Sequence, residues 1–387
     1  MDDTPMETDM PNPGGDGEAA AGGADTCPRC GTGVEPGDGF CEECGAPLLG
    51  QPEPVRDPAA APRAVATPYP WQPPAAATPR PCVECGFDEI GADGYCQRCG
   101  TRQPAARDHV ELDVPGLGAA SDKGLRHTRN EDAMAVLRAD AGVIAVVSDG
   151  VSSSPCPDDA SRAAADAGAG VLGERLAAGD DPETATKRAV ERAAADVAAL
   201  AESESHAPAC TYVSALVGDG TVTVGWVGDS RAYWLPADPE AVPPVREGGP
   251  PEGAPAELGA AALLTEDDSW AGRMVAWGVM TEQEAQADAK AHVLTGWLGA
   301  DAGALDPKVR TYAPTGPGAV VVCSDGLWNY LPEAETLRAA APDAVTDPRG
   351  TAAALVRRAL DMGGHDNVTV VVVPFPPPAQ PTGERQR

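Results

Sequence analysis

Two nineteen-residue stretches carry one cysteine pattern, "CPRCGTGVEPGDGFCEECG" from Cys27 and "CVECGFDEIGADGYCQRCG" from Cys82. Both read C-x2-C-G-x9-C-x2-C-G, offset by 55 residues at all four cysteines, so the chain contains an internal repeat. A unit this short cannot build a core, and something other than apolar burial must fold it. The N-terminus has neither a basic segment nor an apolar one, so it does not read as a secretion signal. Paired cysteines in such a chain read as metal ligands rather than disulfides. Four thiolates at this spacing suit tetrahedral Zn2+, with iron or a redox dithiol as the alternative. The expected zinc ligands are Cys27, Cys30, Cys41 and Cys44 in one module, and Cys82, Cys85, Cys96 and Cys99 in the other. A glycine follows the second cysteine of each knuckle and relieves its tight turn. No coordination position is left open, so the modules read as structural zinc ribbons. Their acidic loops (Glu35, Asp38, Glu42, Glu43, Asp88, Glu89, Asp93) favour a protein partner over nucleic acid.

The formal charge of −31 also argues against a nucleic-acid or anionic-membrane surface. No run of 18 apolar residues exists, and a cytoplasmic protein is expected. Residues 1–26 hold seven acidic residues and no Lys or Arg, a composition of disorder. The first ribbon then spans 27–49 and the second 82–103. Ten prolines mark 50–81 as an extended linker, and 104–112 reads as a second, shorter one. A folded domain is expected over 113–374, followed by a loose tail, 375–387. Strand-like runs lie at 143–147, 211–217, 221–227, 319–323 and 368–373, with a hairpin turn at Gly218–Gly220. Helical segments fall at about 159–178 and 182–203, the second opened by Asp181 as N-cap and Pro182. A hairpin, two successive helices and further strands do not alternate as βαβ, which predicts an α+β sandwich of antiparallel sheets covered by helices. Residues 236–262 read as a surface insertion.

Acidic residues stand at unusual points of this domain. "VVSDGV" and "VVCSDGL" end apolar strands on Asp149–Gly150 and Asp325–Gly326. Glu131 and Asp132 are adjacent in "RNEDA", Asp229 follows a strand in "WVGDSRAYW", and Asp366 precedes the last strand in "GGHDNVTV". Each Asp-Gly alone is an ordinary turn. Five such sites in one domain would repel one another unless cations neutralised them. Oxygen donors without clustered histidine point to Mg2+ or Mn2+.

In order, "SDKGLRHTRNEDA", "VVSDGV", "VGDSRAYW", "LTEDDS", "VVCSDGL" and "GGHDNVTV" resemble the metal-dependent protein phosphatase (PPM, protein phosphatase 2C) family, over residues 113–374. The resemblance implies an α-β-β-α sandwich and two Mn2+ or Mg2+ ions, with a third in bacterial members. Asp149 would bridge the ions, the Gly150 carbonyl would bind one, and Asp325 and Asp366 would complete the other site. Glu131 and Asp132 would hold metal-bound waters, and Asp229 with Asp325 would hold the third ion. Asn367 and Arg231 would shape the loops. The implied reaction is hydrolysis of phosphoserine or phosphothreonine in substrates of Ser/Thr kinases, by a metal-bridging hydroxide attacking in line. The ribbons would dock partners.

Three departures stand out. The family's phosphate-gripping Arg is here His127, flanked by Arg126 and Arg129, which are the candidate replacements. The glycines usual after the first Asp-Gly are Ser152–Ser153, and Asp-His-Ser becomes Asp267–Asp268–Ser269. These motivate an alternative, a pseudophosphatase or scaffold that binds phosphoproteins without turnover. "GDSR" also resembles a lipase-type serine block, but Asp361 and His365 have the wrong spacing for a catalytic pair, which argues against Ser230 as a nucleophile.

Overall fold

The computed structural model describes residues 81–377 apart from 83, 92–93, 102, 104, 113, 204–205, 219 and 239–254. The acidic tail, the first ribbon, most of the Pro/Ala-rich linker and residues 378–387 lie outside the described residues.

Two six-stranded sheets face each other. Strands are numbered along the chain. The first sheet runs, edge to edge, β1 (His109–Leu112), β2 (Gly118–Asp122), β14 (Val368–Phe375), β13 (Gly318–Cys323), β8 (Arg231–Pro236) and β10 (Ala262–Leu263). The second runs β3 (Ala133–Ala139), β4 (Gly142–Ser148), β6 (Tyr212–Val217), β7 (Val222–Val227), β12 (Lys308–Pro314) and β9 (Ala256–Leu258). Neighbours are antiparallel except β9 and β12. Short strands β5 (Ala209–Cys210) and β11 (Leu298–Gly299) pair beside them. Helices α1 (Pro157–Ala177) and α2 (Pro182–Ala198) cover the second sheet, while α6 (Ala334–Ala340) and α7 (Pro348–Asp361) cover the first. Helices α3 (Trp270–Ala276), α4 (Glu282–Gln286) and α5 (Asp325–Trp328) lie in the connections. No helix among the described residues is long and apolar enough to cross a membrane.

Each central strand feeds two apolar layers, because both faces of both sheets are covered. Along β4, Val143, Ala145 and Val147 point between the sheets, and Ile144 and Val146 point to the helices. Along β13, Val320 and Val322 face the other sheet, while Ala319, Val321 and Cys323 face α5–α7. That double burial explains why these strands read as unbroken apolar runs. Few aromatics are available, so helix and sheet approach closely through small residues. Gly168 on α1 sits where any Cβ would collide with the Tyr212 ring.

The expected α+β sandwich is the observed fold. Asp181 caps α2 by accepting the Thr184 amide at 3.0 Å. Gly218 donates to Thr221 at 2.9 Å to close the β6–β7 hairpin. The sequence misleads at the edges. β1 lies inside the stretch read as a linker, yet it pairs along its length with β2. β9 lies inside the stretch read as an insertion and β10 starts on its last residue, and they extend the two sheets.

Candidate active site

Antiparallel pairing brings the ends of six strands to one edge of the sandwich. Asp149 follows β4, Glu131 and Asp132 precede β3, Asp229 lies between β7 and β8, Asp325 follows β13, and Asp366 precedes β14. Val147 pairs with Val213, Tyr212 with Val227, and Cys323 with Val370, which places these termini together. Acids 234 positions apart in sequence, Asp132 and Asp366, therefore share one cluster.

Asp132 is the best defined. Its Oδ2 accepts hydroxyl bonds from Ser324 and Thr369, both at 2.7 Å. Its Oδ1 is buried and has no hydrogen-bond partner, and the same holds for Oδ1 of Asp325. Burial, followed by the facing charges of Asp366 and Asp325, pushes the Asp132 carboxyl up to about 7 against the hydroxyl bonds. Burial and then Asp366 push Asp325 up to about 7 as well. Asp149 is raised well above the usual carboxylate range by burial, then by Asp132, Asp325, Asp366 and Asp229. Asp229 is raised likewise, by burial and then by Asp325 and Asp267, with Arg231 opposing. Two orphaned buried carboxylate oxygens in an all-oxygen group are hard donors of the kind Mg2+ or Mn2+ takes. Among the described residues only the cysteine group already has its ligand atoms within 4.8 Å of one another, so the carboxylates would have to draw together around an ion.

The backbone of the cluster is tightly fixed. Asn367 Oδ1 accepts the Glu131 amide at 2.7 Å, and its Nδ2 donates to the Lys123 and Arg129 carbonyls. The Asp149 amide donates to Thr211 Oγ1 at 3.0 Å, and the Thr211 amide returns a 2.8 Å bond to the Asp149 carbonyl. The glycines after the two strand-ending aspartates mark close approaches. A Cβ on Gly326 would run into the Asn367 carbonyl, and one on Gly150 would lie 2.5 Å from the Pro157 carbonyl oxygen.

Of the three candidates for gripping phosphate, two are engaged by acids. His127 Nε2 lies 3.1 Å from Asp366 Oδ1. Arg129 Nε donates to Glu131 Oε1 at 2.8 Å, and its Nη1 lies 3.5 Å from Asp158. Arg126 is exposed. Arg231 does not face the cluster with a free fork: it is buried, bidentate on Asp267 at 3.0 and 2.7 Å, and its guanidinium lies 3.8 Å from the centre of the Trp328 ring. Ser230 is buried and bonded to Thr211, not to a base.

Sequence reasoning missed Ser324, Thr369 and Thr211. Thr369 carried a signal, a hydroxyl on the inter-sheet face of an otherwise apolar strand. Ser152 was noted only as a departure, yet its hydroxyl donates to Glu131 Oε2 at 2.5 Å.

In the second cysteine module the four sulfurs lie within 4.8 Å of one another. Cys82 and Cys99 are 3.6 Å apart, as are Cys85 and Cys96. A tetrahedron with Zn–S bonds of about 2.3 Å has edges of about 3.8 Å, so the sulfurs fit zinc. Gly86 and Gly100, after the second cysteine of each knuckle, have φ of +69° and +73°, which only glycine adopts freely. The first module's Cys27, Cys30, Cys41 and Cys44 lie outside the described residues.

Comparison with known proteins found relatives of both the cysteine modules and the sandwich domain. A double zinc ribbon family model matches residues 27–100. The serine/threonine phosphatase stp of Listeria innocua is 25% identical over 258 residues, covering 65% of this chain and 93% of its own. Serine/threonine phosphatase Stp1 from Staphylococcus aureus superposes with a TM-score of 0.54 at 22% identity, over 68% of this chain and 96% of its own. A bacterial serine phosphatase structure gives a TM-score of 0.53 at 20% identity, over 68% and 99%. A protein phosphatase 2C model matches residues 125–354, more than half the chain, within the domain where strand ends gather these acids. The chain belongs to the protein phosphatase 2C family.

Proposed function

We propose that this protein hydrolyses phosphoserine and phosphothreonine in proteins, opposing Ser/Thr kinases, with divalent ions held at the carboxylate edge. The observation that carries the reading is the pair of buried, unpartnered oxygens on Asp132 and Asp325 within a group of acids raised together. Mn2+ or Mg2+ would be held by Asp149, the Gly150 carbonyl, Asp325 and Asp366, with Asp229 joining Asp325 for a third ion. Bound ions supply positive charge to the phosphoryl oxygens and a water acidic enough to lose its proton near neutral pH.

The chain's own residues do the rest. Ser324 and Thr369 fix one oxygen of Asp132 and leave the other buried without a partner. Glu131 and Asp132 orient water. Arg126 is exposed and free to meet substrate phosphate, while His127 beside Asp366 offers a single point contact rather than a fork. Two structural zinc ribbons, ligated by the eight paired cysteines, would dock a protein partner.

The test is hydrolysis of p-nitrophenyl phosphate and of a phosphothreonine peptide with and without Mn2+. Turnover that survives EDTA or Asp325→Asn defeats the reading. Ion binding without turnover on either substrate favours a phosphoprotein-binding role.

A further inference from the structure

Glu131 is held at every polar atom it has. Its amide goes to Asn367, and its carbonyl accepts Ser161 Oγ and the Gly150 amide. Its carboxylate is gripped from two sides: Oε1 by Arg129 Nε at 2.8 Å and Oε2 by Ser152 Oγ at 2.5 Å. The side chain is only 8% exposed.

The arginine arm continues outward. Arg129 Nη1 reaches Asp158 Oδ1 at 3.5 Å, at the start of α1, and Asp158 Oδ2 takes Arg107 Nη1 at 2.5 Å. Arg107 lies in the turn before β1, outside the six motifs, and its carbonyl accepts Asn130 Nδ2 at 3.1 Å. Arg107 therefore meets the "RNEDA" loop twice, by backbone and through Asp158. Arg129 serves both acids at once, Glu131 through Nε and Asp158 through Nη1, and Arg107 makes the shorter contact to Asp158. Removing Arg107 is expected to pull the Arg129 guanidinium toward Asp158 and away from Glu131.

We infer that Ser152 and Arg107 are positioning residues that hold the Glu131 carboxylate in a two-armed clamp, one arm direct and one through Asp158 and Arg129. The inference rests on the phosphatase reading. It gives the serine that follows the first Asp-Gly-Val a task, since glycine there has no hydroxyl to offer.

The experiment compares Ser152→Ala, Arg107→Ala and the double variant in the full chain. Each single change is expected to lower kcat on p-nitrophenyl phosphate by about tenfold, the usual effect of losing a group that orients a site residue, with KM unchanged. The double change is expected to cost less than the product of the two, because both arms end on one carboxylate. Ser152→Thr and Arg107→Lys should recover most of the loss. In the metal-free protein, amide exchange across residues 126–132 should quicken in both alanine variants. Wild-type kcat in either alanine variant, a fully multiplicative double, or unchanged exchange overturns the clamp. The Asp325→Asn control separates the two failures: if it stays active, the phosphatase reading falls, and if it is dead while the alanine variants are not, only the clamp does.

Discussion

The side chain of Asn367 accepts the backbone amide of Glu131 at 2.7 Å, joining positions 236 residues apart. The same amide group donates to two carbonyls in the loop before β3, those of Lys123 and Arg129, at 2.8 and 3.0 Å. Asn367 thus ties the loop carrying Glu131 and Asp132 to the strand following Asp366. Asn367→Ala removes three bonds and leaves buried groups unpaired. It should cost about 3 kcal/mol in urea unfolding and lower activity with it.

Removing metal makes stability fall as pH rises. Burial and the neighbouring acids push Asp132 and Asp325 up to about 7, against about 3.8 in the unfolded chain. The folded state therefore holds more protons between those values, and the stability these two acids contribute is full below about 4 and is lost on approach to 7. The melting temperature in EDTA should drop from pH 5 to pH 7.5, and Mn2+ should restore it at the higher pH. A flat or rising profile in EDTA contradicts the clustered acids.

Gly326→Ala places a methyl group against the Asn367 carbonyl, and neither backbone can move without opening the site. Overpacking of this kind costs about 1–3 kcal/mol or more. Chemical denaturation should show a lowered midpoint, whereas Gly170→Ala, a helical position with nothing near its Cβ, should show none.

The full chain should carry two zinc ions, one per cysteine module, measured by release to a chromogenic chelator. Cys82→Ser should halve that number and leave residues 82–103 open to protease. Unchanged zinc content would remove Cys82 from the ligand set.

Much of this was legible in the sequence because the chemistry sits at transitions. An aspartate that ends a run such as "VIAVVSD" is conspicuous, and so are cysteines repeated at one spacing. The acids could be named from a resemblance in order, and the structure brings Asp132, Asp149, Asp229, Asp325 and Asp366 into one electrostatic group. What escaped depends on register and long-range contact. Ser324 and Thr369 meet Asp132 only because β13 and β14 pair in one alignment, which no local pattern encodes. Arg129 looks free along the chain and is taken by Glu131 and Asp158 in space. The edge strands β9 and β10 have three residues and two, too few for a period to show.

The acids are divided between the layers. Glu131, Asp132 and Asp149 border strands of one sheet, Asp325 and Asp366 border strands of the other, and Asp229 sits where the chain crosses between them. Neither half of the sandwich can assemble the cluster alone. An ion bound there would act as a rivet between two plates, and catalytic competence would report that the plates have docked in their one correct alignment.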